Sequence, residues 1–159
     1  GAVVQMVAHG LTAATLFLVV GLLYQRTHSR DLADYGCLLG RAPRFAFFIA
    51  FGLLAAIGFP GSAGFIAELH VLVGSFARWG GWIVLVLAGM LIGAAYGLRV
   101  VGRLCLKGLP AQDIADMTRT ETTAAALLGL TIVGLGVWPA PLLDLVAGSV
   151  GRVARLFAN

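Results

Sequence analysis

The chain has 159 residues, 60% hydrophobic and 11% charged, with a mean hydropathy of +0.96. A water-soluble domain carries about 25% charged residues, so the composition excludes a soluble enzyme or a nucleic-acid-binding module and indicates an integral membrane protein. The formal net charge of +4 then reports topology, through where Arg and Lys sit between spans, rather than an acidic partner.

The chain enters an apolar helix at residue 2, with no initiator Met, basic leader or cleavage site before it. The expectation is a C-terminal piece of a longer polytopic protein, without a signal peptide. The first span covers residues 2–24, long enough at ~1.5 Å per residue to cross a ~30 Å hydrocarbon core with some tilt. The loop over 25–44 holds Arg26, Arg30, Arg41 and Arg44 against Asp31 and Asp34, and Pro43 suits a helix start. The next apolar stretch, 45–77, would be ~50 Å long as one straight helix, too long for one crossing, and it is too short for two. Its middle holds Gly58, Pro60, Gly61 and Gly64, and Pro removes a helix hydrogen bond and clashes with the preceding turn. It reads either as one span broken near 58–64 or as a tight hairpin of two short helices.

Charge placement favours the broken span. A third span over 82–106 carries Gly89, Gly93 and Gly97 at four-residue spacing, a face for close helix packing. The loop after it bears Arg99, Arg103, Lys107 and Arg119, whereas the joint before it has only Arg78. If 45–77 crosses once, both Arg-rich loops fall on one side, the cytoplasm, and both termini of the chain face outward; Arg152 and Arg155 run against that rule. A fourth span covers 122–138, closed by Pro139 and Pro141. The tail, 141–159, reads as an interfacial amphipathic helix with Leu142, Leu145, Val146, Val150 and Val153 on one stripe. The predicted fold is thus an all-α polytopic membrane bundle of about four spans, the second broken mid-membrane.

Three ionisable groups lie in apolar surroundings. Glu68 follows Phe59-Pro60-Gly61 by about two turns. A carboxylate at membrane depth costs roughly ~3 kcal/mol on insertion scales and by default marks an ion or proton site. Burial disfavours its charge and a neighbouring cation restores it, so a group held between the two can bind and release a proton. The plainer reading is a permanent ion pair with a cation elsewhere. His9 shares one face of the first span with Gln5 and Thr12, a polar stripe that should point into the bundle or a water-filled path. Its imidazole titrates near neutral pH and suits a proton relay, against a neutral histidine satisfied by a neighbouring helix. His70, ~200° around the helix from Glu68, reads as structural. A break at membrane depth frees backbone groups that protein or water must satisfy, so a polar cavity is expected beside Pro60, Gly61 and Gly64. Cys37 and Cys105 are far apart and read as ordinary small residues. No metal-ligand spacing, iron–sulfur motif or phosphate loop is present, so the chain itself is expected to hold no cofactor or metal.

Gln5-Met6-Val7-Ala8-His9-Gly10-Leu11, Thr27-His28-Ser29-Arg30 and Pro60-Gly61-Ser62-Ala63-Gly64-Phe65-Ile66-Ala67-Glu68 together resemble the chain M family of the proton-translocating NADH–quinone oxidoreductase, respiratory complex I (the mitochondrial subunit 4 equivalent). The resemblance is nearly continuous over residues 1–76; beyond that it rests on helix pattern. It implies an antiporter-like domain of two inverted repeats, each with a broken helix, of which this chain supplies the C-terminal third. It implies that Glu68 is the acidic residue near the exit half-channel and His9 the histidine of the central polar axis; Gln5, Thr12 and His70 are candidate accessory groups from their place in the sequence, His70 being either an added protonation site beside Glu68 or neutral variation. Key lysines and a further membrane glutamate would lie upstream. His70 departs from an apolar position. Chain L and the cation/proton antiporter subunits are similar, but they carry Lys where this chain has Ala13, and chain L has Lys in place of Glu68.

The function implied is a bacterial inner-membrane subunit that couples electron transfer from NADH to quinone with proton pumping. NADH, FMN, iron–sulfur clusters and quinone would be held by partner subunits, and neighbouring membrane subunits and the lipid bilayer would surround the chain; no nucleic acid is involved. The alternatives are a subunit of a cation/proton antiporter without an electron-transfer partner, and a non-catalytic packing subunit whose buried charges are permanently paired.

Overall fold

A computed structural model describes residues 1–106 and 114–156; Lys107 and the last three residues of the tail lie outside the described residues. The described residues form helices and connecting turns: α1 (Ala2–Thr27), α2 (Leu38–Arg41), α3 (Pro43–Ala56), α4 (Ala63–Trp79), α5 (Ile83–Val101), α6 (Arg119–Val137) and α7 (Ala140–Leu156). Three helical stretches, Ala2–Thr27, Ala63–Leu106 and Arg119–Val137, are long and apolar enough to cross a membrane, and α3 is a shorter apolar helix.

The 44-residue stretch Ala63–Leu106 is not one rod. It folds back at a 3-10 turn, Gly80–Trp82, where Gly80 has a φ of +55°. α5 then returns beside α4 and the end of α3. Gly97 abuts Ile57, and Cys105, in a short π-helical end (Gly102–Leu106), lies 3.5 Å from the Ala46 carbonyl. Of the three spaced glycines of α5, only Gly97 meets a neighbour among the described residues; Gly89 and Gly93 face open space. The rest of α5 is largely an exposed apolar surface, with Leu91 and Ile92 each 72% exposed. A surface of that kind belongs against lipid or other helices rather than water.

α3 and α4 lie end to end along α1 rather than side by side. Val19 and Leu23, near the C-terminal end of α1, share a core with Phe45, Ala46, Phe48 and Ile49 of α3. Midway, Gly52 meets Leu16. Nearer the N-terminus, Val4 and Ala8 pack with Ala63 and Ala67 of α4, and Gly1 abuts the Val71 backbone. The register therefore runs antiparallel and unbroken from Phe45 to Val71, as a single interrupted element and not a hairpin.

The ends of the helices assemble in the order the charges require. Arg26, in the last turn of α1, pairs with Glu121 in the first turn of α6 at 2.7 Å, bonds the Leu22 carbonyl and lies 5.0 Å over the Phe45 ring. Arg44 at the start of α3 donates to the Met117 carbonyl at 2.7 Å. One end of the bundle thus collects the C-termini of α1 and α5 and the N-termini of α3 and α6. Glu121 also closes a capping box with Thr118, satisfying two helix-end donors. The pair is about one-fifth exposed on each side, so solvent screening limits it to ~1 kcal/mol. Glu121→Gln should lower the apparent melting temperature of the detergent-solubilised parent protein by about one degree, and adding Arg26→Gln should lower it little further. Additive losses would mean that the two side chains act independently.

The tail is helical, as its stripe predicts. Leu142 and Leu143 pack against the Val4, Ala8, Ala63 and Ala67 cluster. Of the expected stripe, Val146 is half-buried, while Leu145 and Val150 are exposed; the Val153 side chain is outside the described residues.

Candidate functional site

The break between α3 and α4 spans residues 57–62, and its chemistry is local. α3 ends in a Schellman arrangement. The Phe59 N–H donates to the Leu54 carbonyl at 3.1 Å and the Gly58 N–H to the Ala55 carbonyl at 3.3 Å, with Gly58 in the left-handed region at φ +67°. This geometry satisfies terminal carbonyls, and it favours glycine at that position. Pro60 then blocks continuation of the helix. α4 restarts at Ala63, where the Ser62 hydroxyl accepts from the Phe65 N–H at 3.3 Å, a standard N-cap. Gly64 lies inside the first turn of α4 rather than in the gap.

Three glycines allow close approach here, two of backbone to backbone and one of backbone to a side chain. A Cβ on Gly64 would stand 2.9 Å from the Ala55 carbonyl oxygen, so the end of α3 and the start of α4 touch. A Cβ on Gly136 of α6 would overlap the Gly61–Ser62 backbone. A Cβ on Gly58 would overlap the Glu68 carboxyl group. The Glu68 side chain therefore reaches back over the first turn of α4 and docks on the end of α3. Helix side chains slant toward the N-terminus, which makes this reach natural.

Glu68 is half-buried. It lines a groove of about 220 Å³ with Ile57, Gly58, Phe65, Leu87 and Met90, between α4 and α5. His9 does not share that groove. It is exposed and lines a separate one of about 310 Å³ with Thr12, Ala13, Leu16, Phe17 and Ala56, between α1 and α3. The two grooves flank the break: Ala56 belongs to one, and Ile57 and Gly58 to the other.

The expected polar stripe divides. Thr12 is buried and Gln5 half-buried, the Gln5 Oε1 having no hydrogen-bond partner among the described residues. His9 sits at the margin of the buried face and opens outward from this chain. His70 lines neither groove; it is exposed, with Nδ1 2.7 Å from the Ile66 carbonyl of its own helix, and the structure does not bring it to Glu68. Among the described residues no group of three or more His, Cys, Asp or Glu is placed to hold a metal ion.

Sequence reasoning missed the docking of Glu68 on Gly58 and the packing of Gly136 on the break. Neither has a local signal, since each contact joins residues of different helices. The Ser62 cap and the Thr118–Glu121 capping box were missed as well, though hydroxyls placed just before helix starts are a local signal for them.

Residues 1–97 match the family described as NADH:quinone oxidoreductase/Mrp antiporter, transmembrane. The chain is similar to NADH-quinone oxidoreductase subunit M of Rhodobacter capsulatus, 38% identical over 98% of this chain and 31% of that protein. It is also similar to subunit M of Pseudomonas aeruginosa, 35% identical over 98% and 31%, and of Escherichia coli K12, 32% identical over 100% and 32%. The chain spans about a third of the length of these relatives. With its apolar spans it is a multi-pass membrane protein, and it belongs to the NADH:quinone oxidoreductase/Mrp antiporter transmembrane family.

Proposed function

We propose that the chain is the C-terminal part of an antiporter-like, proton-translocating membrane subunit of an NADH–quinone oxidoreductase, with Glu68 as a proton carrier. The observation that carries this reading is the Glu68 carboxyl group seated on the break of the α3–α4 element, against Gly58. A broken span provides unwound backbone at membrane depth, and an acid lodged there carries a charge cost that packing does not require. The residues 2–27, 43–79, 83–106 and 119–137 then serve as four spans, with the Arg-rich end in the cytoplasm. α7 lies as the amphipathic tail.

In this reading electron transfer takes place in partner subunits, which hold NADH, FMN, iron–sulfur clusters and quinone. Neighbouring antiporter-like subunits contribute the charges that act on Glu68. Two unit charges 4 Å apart interact by about 4 kcal/mol at an effective dielectric of ~20, enough to shift a carboxyl group between its loaded and emptied states. His9, in the groove on the other flank of the break, acts as a relay or water-organising group toward helices upstream of this chain, with Gln5 and Thr12 beside it. His70 takes no part.

The rival within the same family is a cation/proton antiporter subunit. The names of the similar proteins and Glu68 itself favour the oxidoreductase. Inverted membrane vesicles containing the intact parent protein should take up protons on addition of NADH, and a sodium gradient without NADH should drive no proton flux. Sodium-driven flux without NADH would transfer the assignment to the antiporter.

A further inference from the structure

The break contains two glycines with positive φ, and they differ in what surrounds them. Gly61, at φ +93°, would carry a Cβ into open space. Gly58, at φ +67°, would carry one into the Glu68 carboxyl group, with the carboxyl carbon at 2.8 Å and Oε1 at 3.2 Å. Both positions favour glycine for backbone reasons, but only at Gly58 is the vacated space occupied, and its occupant is the one acidic side chain of α4.

We propose that Gly58 is a positioning residue for Glu68: the missing side chain forms the seat in which the carboxyl group docks against the end of α3. The seat has rigid walls. Gly58 is fixed by the two hydrogen bonds that end α3, and the first turn of α4 is held on α3 by the contact of Gly64 with the Ala55 carbonyl. Glu68 is therefore bound to two elements at once, its own helix and the end of the preceding one. A shift of α3 relative to α4 moves the carboxyl group with respect to the groove lined by Leu87, Met90, Leu91 and Ala94. Placing a proton carrier on a joint makes its access depend on the joint's geometry. This functional consequence rests on the proton-carrier reading of Glu68; the docking does not.

The test uses the intact parent protein with Gly58→Ala, Gly61→Ala, Glu68→Asp and the double variant Gly58→Ala/Glu68→Asp. One readout is the rate at which a hydrophobic carbodiimide modifies residue 68, followed by peptide mass spectrometry; the other is NADH-driven proton uptake. Displacement of a reacting group by ~1 Å can cost up to ~10²-fold. Gly58→Ala should accordingly change the modification rate and reduce uptake by about tenfold, while Gly61→Ala, also at positive φ but unobstructed, should leave modification within about twofold. The shorter Asp withdraws from position 58, so the loss in the double variant should be smaller than the product of the two single losses. If Gly58→Ala does not assemble, assembly regained in the double variant supports the proposal, and assembly lost in both overturns it. Equal modification in the two alanine variants, or strictly multiplicative losses, would reduce Gly58 to a turn residue. If Glu68→Gln leaves uptake unchanged while Gly58→Ala still alters modification, the proton-carrier reading falls and the positioning stands.

Discussion

Gly136→Ala should destabilise the bundle by about 3 kcal/mol, at the upper end of the overpacking range. The new methyl group would meet the Gly61 and Ser62 carbonyl carbons at 2.7 Å and closer. These are backbone atoms of a turn already fixed by the Ser62 N–H bond to the Phe59 carbonyl and by the Ser62 cap, so no side chain can rotate away. The apparent melting temperature of the detergent-solubilised parent protein, roughly three times as long as this chain, should fall by about 3 °C. Gly134→Ala, two residues earlier on α6, provides the control. Nothing lies within 4 Å of its Cβ, and exchanging Gly for Ala inside a helix is favourable by up to ~1 kcal/mol. Its melting temperature should be unchanged or higher. Equal behaviour of the two variants would mean that α6 does not bear on the break.

Glu68→Gln should separate function from stability in the opposite sense. The amide keeps the shape of the side chain and its seat on Gly58 but cannot load and release a proton. Loss of a proton-transferring group costs typically 10²–10⁴-fold, so coupled proton uptake should fall by at least ~10²-fold. Removing a charge from membrane depth, which costs roughly ~3 kcal/mol, should leave assembly and melting temperature unchanged or improved. A packing role for Glu68 predicts the reverse, with stability lost and transport retained.

The apolar helices and their order were legible because apolar length and turn chemistry are local properties. Pro60 and the glycines around it pointed to the break, and the placement of Arg along the chain favoured one interrupted element; in the structure α3 and α4 follow one another along α1. Packing partners were less legible. Four-residue spacing marked Gly89, Gly93 and Gly97 as one contact face, but among the described residues only Gly97 meets a neighbour, because contact depends on which helix passes and not on the spacing. Gly58 read as part of a turn, though its second task, leaving room for Glu68, arises only when α4 folds back over the end of α3. The polar stripe of α1 divides as well. Thr12 is buried and Gln5 half-buried, whereas His9 lies at the edge of the buried face and is exposed in this chain.

The central claim is that Glu68 carries protons coupled to electron transfer. The most direct test records NADH oxidation and proton uptake together in inverted membrane vesicles, comparing the intact parent protein with its Glu68→Gln variant in assembled complexes. The account predicts that uptake and NADH turnover fall together while assembly is retained. Unchanged uptake and unchanged turnover would contradict it and return Glu68 to a structural role.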